Sequence, residues 1–316
     1  LMKSKKRYQL NNKIKKPLVS IVIPTYNHAF FLGKALESVI NQTFKNWEAI
    51  VIDNNSTDDT NKVVNEINDP RVKYLKINNN GVIARSRNLG IKFAKGDWIA
   101  FLDSDDWWSK EKLEICLNNS DDNVDLIYHD LEVKYRNTKF SVKKKIFKGR
   151  QLKYPVLIDL LESGIIKGNA IGNSSVLVRK NILNKIGGIN ENIKLVGSED
   201  YNTWLRVAQI TDQFKYLKKN LGYILIHDTN TSKKDMSIPQ RQAVINFMEL
   251  FNYQQKINLE VKLNYMSASY NFLKNNNKIA KKNFIFVIKN GLINLKIRSI
   301  LKLIIIMFKT SILRKK

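Results

Sequence analysis

Apolar and polar positions alternate along the first hundred residues with two periods. Leu18–Ile23 is a short aliphatic, β-branched run that ends in the polar turn Pro24-Thr25-Tyr26-Asn27. Phe31–Gln42 then sets Phe31, Leu32, Ala35, Val39 and Ile40 on one side, the spacing of an amphipathic helix. Trp47–Ile52 reads as a second buried strand. Ser56 or Thr57 suits the cap of a helix whose first turn carries Asp58 and Asp59, charges that a helix N-terminus favours. Val72–Lys76 predicts a weaker third strand, Val82–Ala94 a helix, and Trp98–Leu102 a fourth strand ending in Asp103. Strands alternating with helices of this length predict an α/β fold around a mostly parallel sheet with right-handed crossovers. Ligands of such sheets bind beyond the carboxyl ends of the strands. Three polar clusters should therefore share one edge: Pro24–Asn27, Asp53-Asn54 and Asp103-Ser104-Asp105-Asp106.

Beyond about residue 130 the pattern loosens. Val156–Glu162 and Tyr201–Ile210 read as helices, Ser174–Val178 and Leu221–Ile226 as strands, and the basic stretch Lys143–Lys153 as a solvated loop or edge. From Pro239 onward helical spacing dominates, and no internal repeat is visible. The expected organisation is a basic arm over residues 1–16, a catalytic domain over 17–235 whose halves meet near residue 130, and a helical region over 236–316.

The acidic cluster after the fourth strand has two readings. Carboxylates at the end of a buried strand are costly unless something positive binds them. One or two of them, completed by phosphate oxygens, suit Mg²⁺ or Mn²⁺. Equally, they suit the acidic first turn of a helix over Lys110–Leu117. Tyr26 can stack on a base whose edge Asp53 and Asn54 can bond, so a nucleoside diphosphate is the natural ligand of this edge. The chain has neither Gly-x-Gly-x-x-Gly after its first strand nor a loop ending in Gly-Lys-Ser/Thr, which disfavours dinucleotide oxidoreductases and P-loop enzymes.

Val19–Asn27, Asp53–Asp58, Ala84-Arg85-Ser86-Arg87-Asn88 and Phe101–Asp106 together resemble the successive motifs of glycosyltransferase family 2, over roughly Pro17 to Thr231. The resemblance implies a GT-A fold, a nucleoside-diphosphate sugar donor, a divalent metal and inversion at the anomeric carbon. It also implies that Pro24 and Tyr26 line the base pocket, with Asp53 and Asn54 at its polar edge. Arg87, ahead of Arg85, would lie near the nucleotide or its phosphates. Asp105 would ligate the metal, and Asp103 would meet ribose or metal-bound water. Many members carry two aspartates where this chain has Asp53-Asn54, and an asparagine both donates and accepts there. Gly197-Ser198-Glu199-Asp200 resembles the family's Glu-Asp motif, making Asp200 the general base and Glu199 its orienting neighbour or an acceptor contact. His227, in a loop resembling one that closes on the pyrophosphate, is a further donor contact. His28 reads as a surface bystander, and Trp107-Trp108 as a wall near the sugar or as core.

Charge changes the picture at the two ends. The net charge is +26, yet residues 1–16 hold seven Lys/Arg and no acid, and residues 231–316 hold seventeen against three acids. The middle is nearly neutral, with acids along the expected cleft, which argues against a nucleic-acid-binding protein built on a basic stripe. A nucleotidyltransferase of related fold would carry a glycine-rich, basic loop after the first strand, where this chain has Pro24–Asn27. One cysteine, Cys116, excludes a disulfide framework and suits a reducing compartment. No apolar run of signal-peptide kind marks residues 1–16, and Leu303–Phe308 is far below the roughly 20 residues of a transmembrane helix. Lys296, Arg298, Lys302 and Lys309 among Ile, Leu and Phe instead describe an interfacial helix on an anionic surface. The expectation is a cytoplasmic, membrane-peripheral transferase using a nucleotide-sugar donor, with UDP the first choice, and a glycan or lipid-linked glycan acceptor.

Overall fold

The computed structural model describes residues 18–136, 145–166, 168–228, 230 and 233–314; the expected basic arm lies outside them. Four strands alternate with three helices at the start: β1 (Val19–Thr25), α1 (Ala29–Ile40), β2 (Trp47–Asp53), α2 (Thr60–Glu66), β3 (Val72–Lys76), α3 (Ile83–Phe93) and β4 (Trp98–Phe101). β3, β2, β1 and β4 pair in that order and all in parallel. Both faces of β1 and β2 are buried because successive side chains point to opposite sides. Val22, Ile50 and Ile52 face one core with α3, while Val19, Ile21, Ile23, Ala49 and Val51 face the other with α1.

The second half begins with the two-residue strand β5 (Trp107–Trp108) and α4 (Lys112–Asn118), followed by β6 (Leu126–Tyr135), β7 (Lys145–Phe147), α5 (Val156–Ile166), β8 (Leu177–Arg179) and α6 (Lys180–Lys185). After these come α7 (Glu199–Ala208) and β9 (Phe214–Ile226). β8 joins β4 antiparallel, and the sheet continues through β6 and β9 to β5, with β7 on the outer edge of β6. The unbroken parallel set therefore ends at β4, where the first half meets the second, although β6 and β9 are again parallel to each other. β6 is a long element that the apolar pattern does not announce. His129, Asp130 and Glu132 are buried within it. Asp130 accepts from Gly149 N–H at 2.9 Å and from Tyr216 at 2.7 Å, so paired polar groups replace the apolar run.

Two local expectations are corrected. α2 starts at Thr60 and not near Ser56, because Ser56 and Thr57 are committed elsewhere. The Ser56 N–H donates to Asp53 at 3.0 Å, and the Thr57 N–H to the side chain of Asn27 at 2.8 Å. Asp58 in turn accepts from the N–H of Ala29 at 2.9 Å, tying the loop after β2 to the start of α1. The strand expected from Ser174 starts later, at Leu177, after a 3₁₀ turn over Asn173–Ser175.

Four helices follow β9: α8 (Ser237–Val244), α9 (Tyr253–Leu273), α10 (Asn277–Asn290) and α11 (Ile293–Arg314). α9 packs on α5 and α8, and α10 and α11 pack in turn on α9. α3 needs the absence of a side chain at Gly90, where a Cβ would stand 2.5 Å from Val22 Cγ1 and 2.9 Å from Ile52 Cδ1. Gly90→Ala should therefore overpack the seam between α3 and β1, against a helix-propensity gain of about 1 kcal/mol. The expected net loss is about 1–2 kcal/mol, read as a lowered midpoint in thermal unfolding.

Candidate active site

The polar ends of β1, β2 and β4 meet on one sheet edge, as the parallel order requires. Asn27 takes the left-handed conformation (φ 50°) that the tight exit from β1 demands. Tyr26 beside it stays 55% exposed and open to a ring, while Pro24 is buried in β1. Asp53 is only 1% exposed. One of its oxygens accepts from Ser56, and the other from the Tyr74 hydroxyl at 2.6 Å. Asp53 thus braces the turn where the sequence reading had it at the polar edge of a base. Asn54 is less buried; its side-chain Oδ1 accepts from the Asn79 N–H at 2.8 Å.

Arg87 is the hinge of the site. Its guanidinium donates to Glu199 Oε1 at 2.6 Å and to Asp103 Oδ1 at 2.7 Å, with 4% side-chain exposure. Burial alone would weaken its charge, but Asp103 and Glu199 raise its pKa further above the ordinary value. The resemblance implies a place for Arg87 near the nucleotide or its phosphates; in the structure one N–H of each terminal nitrogen goes to a carboxylate. Arg85 turns outward, 3.4 Å from Glu191.

Asp103, Asp105 and Asp106 diverge from one another. Asp103 also accepts from the Asn173 amide at 3.1 Å. Asp106 is fully committed: Ser174 Oγ donates to it at 2.6 Å and the Leu225 N–H at 3.1 Å. Asp105 meets His227 Nε2 at 2.8 Å and the Asn230 amide at 3.2 Å. Burial first, and then the charge of Asp103, pushes the Asp105 carboxyl above its usual range. Burial, then Asp105 and Asp103, raises Asp106 well above it. Negative charge is therefore concentrated here faster than the protein's own cations offset it.

That excess is the test of fit for a divalent cation. No group of three or more His, Cys, Asp or Glu with metal-holding geometry exists among the described residues. A closed, all-protein metal cage is thus excluded there, whereas an open site of one or two carboxylates completed by diphosphate oxygens fits. Of the two readings of the acidic cluster, the helix-start reading is not followed: α4 starts only at Lys112, and none of the three aspartates lies in its first turn.

His28 is not a bystander. Its Nδ1 lies 2.8 Å from Ser104 Oγ, its ring stands edge-on to His227, and Phe31 stacks on His227 with centroids 4.7 Å apart. Burial lowers its pKa. Trp108 is core: its Nε1–H donates to the Ser174 carbonyl at 2.7 Å, and Lys112 sits over its ring. Trp107 stacks on Tyr223.

Glu199 and Asp200 open α7, where the helix N-terminus favours negative charge. Gly197, at φ 97°, donates its N–H to Glu199 Oε2 at 2.6 Å. Both Glu199 oxygens are thereby occupied, so Glu199 orients the turn. Asp200 accepts from the Tyr201 N–H at 2.7 Å and from the Asn169 amide at 3.0 Å. Burial, reinforced by Glu199, raises its pKa to about 7. Beside Asn169 a cavity of about 510 Å³ runs along β6, β7 and β9, lined by Val133, Phe147 and Ile226 with Lys145 and Lys148. Sequence reading missed Asn169, Asn173, Ser174 and Asn230. Asparagines abound in this chain, and nothing in their spacing marks these as partners of the aspartates.

A parallel edge built by β1, β2 and β4, continued by a mixed second half of the sheet and flanked by helices, is an architecture of the GT-A type. Residues 20–182 match the family described as "Glycosyl transferase family 2". The UDP-Glc:α-D-GlcNAc-diphosphoundecaprenol β-1,3-glucosyltransferase WfgD of Escherichia coli is 32% identical over 193 residues, 61% of this chain and 70% of that protein. The crystal structure of S. aureus TarS residues 1–349 with UDP-GlcNAc superposes with a TM-score of 0.61 at 21% identity, over 88% of this chain and 82% of that one. The mannosyltransferase PcManGT of Pyrobaculum calidifontis, solved with GDP-Man and Mn²⁺, superposes at 0.57 and 14% identity, over 92% and 81%. The chain belongs to glycosyltransferase family 2 and is a glycosyltransferase.

Arg87→Ala should leave Glu199 buried without its partner. Breaking such a pair from one side costs about 3–5 kcal/mol, so chemical denaturation should show a loss of that size. The double variant Arg87→Ala with Glu199→Gln should recover part of it.

Proposed function

We propose that this enzyme is an inverting, metal-dependent transferase that moves a hexosyl or N-acetylhexosaminyl group from a UDP-sugar to a hydroxyl of a lipid-linked surface glycan. The observation that carries the reading is Asp200. It is a carboxyl raised to about 7, oriented by Asn169, and joined through Glu199 and Arg87 to Asp103 at the end of β4. A base needs a pKa near the working pH and a fixed aim, and Asp200 has both.

In this reading Tyr26 stacks on the base, and the Asn54 amide meets its edge, with Asp53 holding the turn from behind. Asp105, with Asp103 beside it, would hold Mn²⁺ or Mg²⁺, which when bound neutralises the departing diphosphate. His227, fixed between Asp105 and Phe31, would close on the pyrophosphate side. The acceptor hydroxyl approaches from the side of the cavity beside Asn169. As its oxygen bonds to the anomeric carbon, its proton passes to Asp200 and the carbon–diphosphate bond breaks on the opposite face. One displacement on one face inverts the centre. The choice of UDP and of a lipid-linked acceptor is supported by WfgD, named for UDP-Glc and a diphosphoundecaprenol acceptor, and by UDP-GlcNAc bound to TarS. Lys145 and Lys148 beside apolar Phe147 and Ile226 suit the junction of a diphosphate and a lipid.

Asp105→Asn should abolish metal-dependent UDP binding in calorimetry with Mn²⁺ while the unfolding midpoint is kept. Unchanged affinity would remove Asp105 from the donor site. Asp200→Asn should keep UDP binding and lose about 10²–10⁴-fold in transfer rate. Because Asp200 works only when ionised, wild-type transfer should rise with pH through about 7 and then level off. A flat profile between pH values on either side of 7, or near-normal turnover by the asparagine variant, would exclude Asp200 as the base.

A further inference from the structure

α11 has two apolar faces, and only one of them is used. At 3.6 residues per turn, Ser299, Lys302, Leu303 and Ile306 share a face. Ser299 and Ile306 are fully buried, and Leu303 packs with Ile306 against Ala268, Ala280 and Phe284. Lys302 turns inward as well, its Nζ 2.9 Å from Ser269 Oγ and over the rings of Tyr265 and Phe284. Nearly opposite runs a second stripe: Ile293, Ile297, Ile300, Leu301, Ile304 and Phe308. These range from 42% to 68% exposed, and Met307 at its margin is 61% exposed. A helix that has already buried one apolar face has no packing reason within the described chain to carry another. A contiguous exposed stripe of this length marks a surface that something covers.

Charge identifies the occupant. Lys296 lies on one border of the stripe and Arg298 on the other, where long cationic side chains can keep their heads in a polar layer while their stems follow the apolar face. Glu260 is the last acid of the chain, and the residues after it hold thirteen Lys/Arg. A two-fold pairing of the stripe with a second copy would crowd these cations together with no carboxylate among them. An anionic bilayer supplies both an apolar layer and phosphates at its border. No helix among the described residues is long and apolar enough to cross a membrane, so the contact is in the plane of the interface. We propose that the exposed stripe of α11 lies in the surface of an anionic lipid bilayer, with Lys296 and Arg298 at the headgroup level and the buried stripe clamping the helix to α9 and α10. This goes beyond the donor and acceptor chemistry and does not depend on it.

The test is flotation of the full chain with vesicles of mixed phosphatidylglycerol and phosphatidylcholine, and with phosphatidylcholine alone. The wild type should float with the mixed vesicles, far less with the neutral ones, and less in high salt as the charges are screened. Ile300→Glu with Ile304→Glu, both at exposed positions, should reduce partitioning roughly tenfold or more while the unfolding midpoint and UDP binding stay as in the wild type. Lys296→Glu with Arg298→Glu should remove the preference for anionic lipid and leave the apolar stripe intact. Wild-type protein that stays at the bottom of the gradient, or glutamate variants that float as well as wild type, would overturn the proposal. So would a wild-type dimer in sedimentation that the Ile300/Ile304 variant dissociates, which would assign the stripe to a second copy.

Discussion

The site depends on one buried cation. Arg87 comes from α3, Asp103 from the end of β4 and Glu199 from the start of α7, so a single guanidinium ties the parallel half of the sheet to the half that follows it. Its position rests on Gly90 one turn later, which lets α3 lie against Val22 and Ile52. An arginine with two fixed carboxylates is a planar clamp that a lysine would not reproduce, because a guanidinium presents its donors in a rigid fork.

Short polar side chains do the rest of the positioning. Asn27, Ser56, Thr57 and Asp58 lace the loops after β1 and β2 together, and Tyr26 is left free at their tip. Ser174 accepts from the Asp103 N–H and donates to Asp106, so the turn before β8 holds the acidic loop by both ends. Asn173 and Asn169 reach Asp103 and Asp200 from the same stretch. Each bond is modest, on the order of 1 kcal/mol net, yet together they leave the aspartates little freedom to move apart. Burial first, and the charge of neighbouring carboxylates after it, raises the pKa values of Asp105, Asp106 and Asp200.

Local pattern alone determined the first half of this protein. β1 to β4 and the helices between them follow from apolar period, because strands buried on both faces must be apolar throughout and their order forces the polar ends onto one edge. Tyr26 and the acidic cluster Asp103–Asp106 stood out by their place at the ends of buried strands, whereas the roles of Asp105 and of Glu199-Asp200 came from the resemblance to family motifs. Tertiary structure decided what a residue meets across long sequence separations. β6 escaped notice because Asp130 and Glu132 are paired with Gly149, Tyr216 and Asn220, partners that no local window contains. Nothing local showed that Arg87 pairs with Glu199 or that Asp53 accepts from Tyr74, since only the fold brings these partners together. His28 read as surface until His227, from the far end of the domain, came to lie against it. Periodicity reports which face of an element is buried; it carries no information about which distant partner stands on that face.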